Sequence, residues 1–149
     1  MFVGEAPGKK EDKERRPFRG DCGKLLDEAI DGIGWKREQV YISNIVMRRP
    51  PKNRRPLRSH IVAYGPYLKR QIEIINPKVV CTLGRFSMDY FSMPEKRKIS
   101  KNHGEAFKAG DRLIYPVYHP GAALRSTLKR AIFKEDLKKL PTIIAQAHG

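Results

Sequence analysis

Met1-Phe2-Val3-Gly4-Glu5-Ala6-Pro7-Gly8 opens the chain, and His119-Pro120-Gly121-Ala122-Ala123-Leu124-Arg125 lies near its other end, directly after the apolar run Leu113 to Tyr118. In each stretch a short β-prone run delivers the backbone into a polar cluster punctuated by Gly and Pro. A third run, Val40 to Val46, carries Tyr41-Ile42-Ser43-Asn44 and repeats the pattern. Open α/β sheets bind ligands outside the carboxyl ends of their strands. Three such clusters at three strand ends therefore converge on one site.

The intervening sequence fits this arrangement. Leu25, Leu26, Ala29, Ile30 and Ile33 recur at helical spacing, and Gly32 and Gly34 mark where that helix stops. Leu57 to Ile75 reads as a long helix with Ile61, Tyr64, Leu68, Ile72 and Ile75 on one face. Val79 to Leu83 is another strand, and Gly84 opens a short helix through Phe91. Residues 93 to 112 read as a basic, irregular insertion, and a Lys-rich amphipathic helix closes the chain with Leu128, Ile132, Leu137 and Leu140 as inner positions. Strands alternating with helices predict an α/β fold: a three-layer αβα sandwich around a central four-stranded parallel sheet. The length of 149 residues is that of one domain, spanning 1–149. The first strand begins at the first residue, which predicts either a lost upstream segment or a pared-down version of a larger fold.

Hydrophobic residues make up 40% and charged residues 32%, a globular rather than a disordered balance. Lys and Arg number 31 against 16 Asp and Glu, a net charge of +15. That excess attracts polyanions, nucleic acid first and an anionic membrane surface second. No apolar run approaches the roughly 20 residues of a membrane span, and Lys9 and Lys10 interrupt the opening run too soon for a secretory signal. The expected location is the cytoplasm. Cys22 and Cys81 are too few for a disulfide framework or a cysteine-built zinc site.

The motifs, taken in order, resemble those of the family 4 uracil-DNA glycosylases. The matching segments are Gly4-Glu5-Ala6-Pro7-Gly8 with Glu11-Asp12, Arg16-Pro17-Phe18, and Gly23-Lys24-Leu25-Leu26-Asp27. Tyr41-Ile42-Ser43-Asn44 follows with Arg49-Pro50-Pro51 and Asn53-Arg54, then Pro66-Tyr67-Leu68. Pro77-Lys78-Val79-Val80 with Leu83-Gly84, and His119-Pro120 with Leu124-Arg125, complete the set. Members of that family usually begin further upstream, with a segment carrying two cysteines. Two more lie around the long helix and the third strand, and the four hold an iron–sulfur cluster. Here Tyr64 stands at the third ligand position and only Cys81 sits where a ligand remains. The expected cofactor is therefore none, with Cys22 and Cys81 serving as small buried hydrophobes.

The resemblance implies a hydrolase that flips uracil out of DNA and cuts its N-glycosidic bond. His119 is then the donor to uracil O2, stabilising the departing anion, and a neutral imidazole suffices for that. Asn44 offers an amide whose acceptor and donor match the N3–H and O4 edge of uracil; alternatively it caps a turn. Phe18 stacks on the flipped base, or packs in the core. Ala6 stands where the best-known branch of the superfamily has a water-orienting Asp. Backbone amides around Ala6 and the carboxylate of Glu5 are left as candidates, and Glu5 either orients water or sugar or holds its own loop. Arg48, Arg49, Lys52, Arg54 and Arg55 crowd one Pro-stiffened loop just after Asn44, and with Leu124 and Arg125 are the candidate DNA contacts. Leu124 fills the gap left by the base, or packs along its helix. Lys129, Arg130, Lys138 and Lys139 read as a solvated face, and His60, His103 and His148 receive no role.

These readings predict a monomeric, monofunctional enzyme of base excision repair whose partner is uracil-containing DNA and which uses no metal. Two alternatives remain. One is a glycosylase for another deaminated base, hypoxanthine or xanthine. The other is a DNA-binding module without catalysis.

Overall fold

A computed structural model describes residues 1–6, 20–47 and 58–148. Five strands form one sheet: β1 (Phe2–Gly4), β2 (Ile42–Asn44), β3 (Val79–Leu83), β4 (Phe107–Ala109) and β5 (Arg112–Val117), in the order β2-β1-β3-β5-β4. Four of them run parallel as expected. The expected four-stranded parallel sheet is nevertheless incomplete, because β4 adds an antiparallel edge to β5 from within the stretch read as an irregular insertion. The two are joined through Gly110-Asp111 alone, with Gly110 at φ +63. That is the pattern of a type II′ hairpin, which places Gly first in a two-residue loop.

β1 lies between β2 and β3. Its first amide N–H donates to the Tyr41 carbonyl at 2.8 Å, and the Cys81 amide donates to the Met1 carbonyl at 2.8 Å. The pleat sends alternate side chains to opposite faces. One face carries Phe2, Val79, Cys81, Leu83, Tyr115 and Val117. It is covered by α1 (Asp21–Gly32), α5 (Pro120–Leu124) and α6 (Thr127–His148), through Leu25, Leu26, Ile30, Ala123, Phe133 and Leu137. The other face carries Val3, Val80 and Ile114 under α2 (Arg58–Ile75) and α3 (Arg85–Ser92). A short helix, α4 (Ile99–Asn102), precedes the hairpin. The molecule is thus an α/β fold with helices on both sides of a mixed sheet.

Local signals account for most boundaries. α1 ends in a Schellman motif: Gly34 sits at φ +82, the Trp35 amide donates to the Ile30 carbonyl at 3.1 Å, and the Gly34 amide to Asp31 at 3.0 Å. On α6 the buried positions are Phe133, Asp136, Leu137 and Leu140. Leu128, expected to face inward, is 71% exposed. Helical geometry explains the difference, since five residues rotate it about 140° away from Phe133. Asp136 is instead an unexpected buried carboxylate, 2.7 Å from His103 Nδ1. Burial pushes its pKa up, and the His103 contact opposes that shift. His103, given no role on sequence grounds, therefore ties the loop before β4 to α6, and its ring stacks on Tyr118 at 5.0 Å.

Candidate active site

The parallel register sets the site. Gly4 pairs with Asn44, so the last residue of β2 lies beside the turn that leads into Glu5 and Ala6. The Ile45 amide donates to the Gly4 carbonyl and the Val46 amide to the Glu5 carbonyl, each at 3.0 Å. These bonds carry the pairing two residues past the strands and fix Glu5 and Ala6 at the carboxyl edge. His119 follows β5 on the same edge. Between β2 and β5 stand β1 and β3, three inter-strand steps of roughly 4.8 Å each.

Asn44 is 5% exposed, and its Oδ1 has no hydrogen-bond partner. A buried carbonyl oxygen left unpaired is costly. At the mouth of a sheet, such an atom is an acceptor waiting for a donor. It supports the reading of Asn44 as a ligand for an N–H group and weakens the turn-capping alternative.

His119 is the N-cap of α5. The Gly121 amide donates to its Nδ1 at 2.9 Å. A backbone N–H only donates, so Nδ1 holds a lone pair and the proton of the neutral ring resides on Nε2. Burial first, and then the Arg125 guanidinium, push the ring's pKa down to about 4. At neutral pH the side chain is an uncharged Nε2–H donor. Two glycines permit this placement. Gly84, at φ +94 and ψ 177, occupies a region essentially reserved for glycine. A Cβ there would lie 2.9 Å from His119 Cβ. At Gly121 a Cβ would lie 3.0 Å from Nδ1. Reading the sequence singled out neither as a site residue, although Gly84 directly follows a strand and Gly121 directly follows His119-Pro120.

Arg125 is exposed, and its Nε donates to the Gly121 carbonyl at 3.1 Å. Leu124 is half-buried and packs on the core beneath α5, which favours packing along its helix over a free wedge. Arg130, expected on a solvated face, instead reaches back: Nη2 donates to the Leu124 carbonyl at 3.0 Å and Nε to Ala123 at 3.4 Å. It caps the end of α5. Phe18 and the basic residues Arg48, Arg49, Lys52, Arg54 and Arg55 lie outside the described residues.

An iron–sulfur cluster takes four thiolates, and the chain has Cys22 and Cys81. Cys81 packs on the α1–α6 face and Tyr64 on the α2–α3 face, so the two positions expected to share a cluster are separated by the sheet. Burial pushes the Cys81 thiol up, away from thiolate character. Cys81 and Tyr64, where they stand, do not fit the group. Among the described residues, no group of three or more His, Cys, Asp or Glu is arranged to hold a metal ion, and no helix is long and apolar enough to cross a membrane.

A covered α/β sheet with a neutral histidine donor and a buried amide on its carboxyl edge defines an α/β protein built around a polar edge site. The chain belongs to the Uracil DNA glycosylase superfamily, whose family model matches residues 1–141. It is similar to the Type-4 uracil-DNA glycosylase of Sulfurisphaera tokodaii, at 49% identity over 94% of this chain and 67% of that protein. The Type-4 uracil-DNA glycosylase of Saccharolobus solfataricus is 44% identical over 94% of this chain and 68% of its own length. That of Thermotoga maritima is 42% identical over 97% of this chain and 77% of its own length.

Proposed function

We propose that this protein removes uracil from DNA by hydrolysing its N-glycosidic bond and leaves an abasic site. Its family and its Type-4 relatives support the activity. The observation that carries the site is the pairing of an orphaned, buried Asn44 Oδ1 with a His119 ring locked as an Nε2–H donor.

In the proposed mechanism the nucleotide leaves the stack and its base enters the carboxyl edge of the sheet. Asn44 Oδ1 accepts from uracil N3–H, and its amide nitrogen donates to O4. Cytosine has no N3–H and presents an amino group at C4, so it leaves both amide atoms mispaired. As the C1′–N1 bond breaks, its electron pair moves onto the uracil ring and the sugar becomes cation-like. The Nε2–H of His119 donates to O2, where negative charge grows. Water then adds to C1′ and loses a proton to the solvent, and the departing uracil anion takes one up, so that free uracil and an abasic site result. A donor fixed before the reaction begins costs no reorganisation, which is the main source of its effect. Backbone amides near Ala6 support the same edge, and Glu5 is placed either to orient the water or to hold its turn. Phe18 stacks on the base, while Arg48, Arg49, Lys52, Arg54, Arg55 and Arg125 meet phosphates.

One chain carries Glu5, Asn44 and His119 on one sheet edge, which supports a monomer acting as one domain over 1–149. The test uses uracil, cytosine, hypoxanthine and xanthine, each placed singly in an end-labelled strand. Alkali-dependent cutting at uracil and not at cytosine is expected. Cutting at hypoxanthine or xanthine but not uracil would overturn the reading.

A further inference from the structure

We propose that His103 and Asp136 are positioning residues for the reaction: held to each other, they set where the Nε2–H of His119 stands, acting through the ring of Tyr118. This rests on the glycosylase reading above. His119 takes its place from the three residues before it, where β5 leaves the sheet, and each of the three is held from outside that strand. The Gly104 amide donates to the Pro116 carbonyl at 2.8 Å, and the Gly84 amide donates to the Val117 carbonyl at 2.9 Å. The buried Tyr118 ring is stacked on His103, with centroids 5.0 Å apart and planes 29° apart, and the Lys129 ammonium lies 5.5 Å from its centroid. His103 and Gly104 are consecutive, so one loop supplies two of these holds.

Asp136 fixes that loop. Its Oδ2 is 2.7 Å from His103 Nδ1, and its side chain is 5% exposed. A Cβ at Gly104 would lie 2.5 Å from Asp136 Oδ1, so the loop is seated directly against the carboxylate. The main chain of the same residue is also engaged, since the Tyr115 hydroxyl donates to the Asp136 carbonyl at 2.7 Å. One residue of α6 therefore grips the end of β5 twice, directly at Tyr115 and through His103 at Tyr118.

A buried polar pair is a poor device for stability alone, because apolar side chains of similar size often serve as well or better. What it adds is direction: a hydrogen bond to a carboxylate fixes the plane of the His103 ring, and the stacked Tyr118 inherits it. A donor aimed at developing charge depends on such placement, and an error of about 1 Å costs up to about 100-fold in rate. The effect belongs to the transition state, where the charge on uracil O2 grows, so it falls on kcat rather than KM.

The test uses a single-stranded uracil oligonucleotide at a temperature well below each variant's Tm. In His103→Ala, kcat is expected to fall about ten-fold with KM near the wild-type value. A second variant, His103→Leu combined with Asp136→Leu, leaves no unpaired buried carboxylate and keeps the test open if His103→Ala does not fold; the same loss is expected. Asp136→Asn retains a hydrogen bond to His103 and is expected to keep most of the wild-type kcat. The decisive comparison places the first two changes in a His119→Ala background. There they are expected to cost nothing further, because the donor they position is gone. An unchanged kcat in the variants that fold, or the same fold-loss with and without His119, would overturn the proposal, while uracil cutting by the wild type keeps the glycosylase reading. No cutting by the wild type would overturn both.

Discussion

In the proposed mechanism His119 works as a neutral donor. The Gly121 amide fixes its tautomer, and burial holds its pKa near 4 against 6.5 for a free ring. Between those values the unfolded chain binds a proton that the folded ring refuses, so this group lowers stability as pH falls from about 6.5 to about 4 and no further below. In the proposed mechanism the same shift bears on activity. The kcat/KM profile on single-stranded uracil DNA is expected to show no break near 6.5 from this residue and to fall on approaching pH 4. A break near 6.5 that disappears in His119→Gln would mean that the ring titrates as it does in water. Gly84 makes the placement possible. Gly84→Ala adds backbone strain of about 1–3 kcal/mol and a Cβ 2.9 Å from His119 Cβ. Its kcat/KM is expected to fall further than its loss of stability accounts for, as read by activity at a temperature well below its Tm.

At the scale of elements, the four parallel strands were legible because each is a short apolar run ending in a polar cluster. α1 and α2 were legible because their apolar spacing is helical. β4 was hidden by composition: Phe107-Lys108-Ala109 presents one strong β-former, and the surrounding lysines and arginines mask the hairpin. The Gly110-Asp111 pair was the available signal. Nothing lies within 4 Å of a Cβ at Gly110, and its φ is +63. Gly110→Ala is therefore expected to cost about 1–2 kcal/mol of stability from backbone conformation alone, measured by denaturant midpoint. The hairpin is the far edge of the sheet from Asn44, so kcat/KM should stay at the wild-type value.

The candidate site divides in the same way. Asn44 and His119 were legible because strand ends announce themselves and the motif order matched a known family. Arg130 was not, because its role depends on how α6 turns against α5. Arg130 answers carbonyls six and seven residues behind it, a contact that helical spacing within α6 never reports. Arg130→Met keeps the stem and removes the cap. It is expected to lose about 1.5–3 kcal/mol, the range for hydrogen bonds that involve a charged group, as measured by thermal unfolding.

On the scale of the whole molecule, the net charge of +15 sets the physics of encounter. Affinity for uracil-free DNA is expected to fall linearly in log–log form with salt, and Arg125→Ala to reduce the slope by about one. Anisotropy titrations across several salt concentrations measure it. On the proposed reading, charge brings the protein to DNA of any sequence, and the sheet edge selects the base. That division of labour is the central claim, and the most direct measurement compares the wild type with His119→Ala and Asn44→Ala on one end-labelled strand carrying a single uracil, opened by alkali. The expected result is uracil-specific cutting by the wild type, reduced on the order of 100-fold or more in each variant, with salt-sensitive binding retained in all three. Undiminished cutting in either variant would contradict the site, and absent cutting in the wild type would contradict the activity.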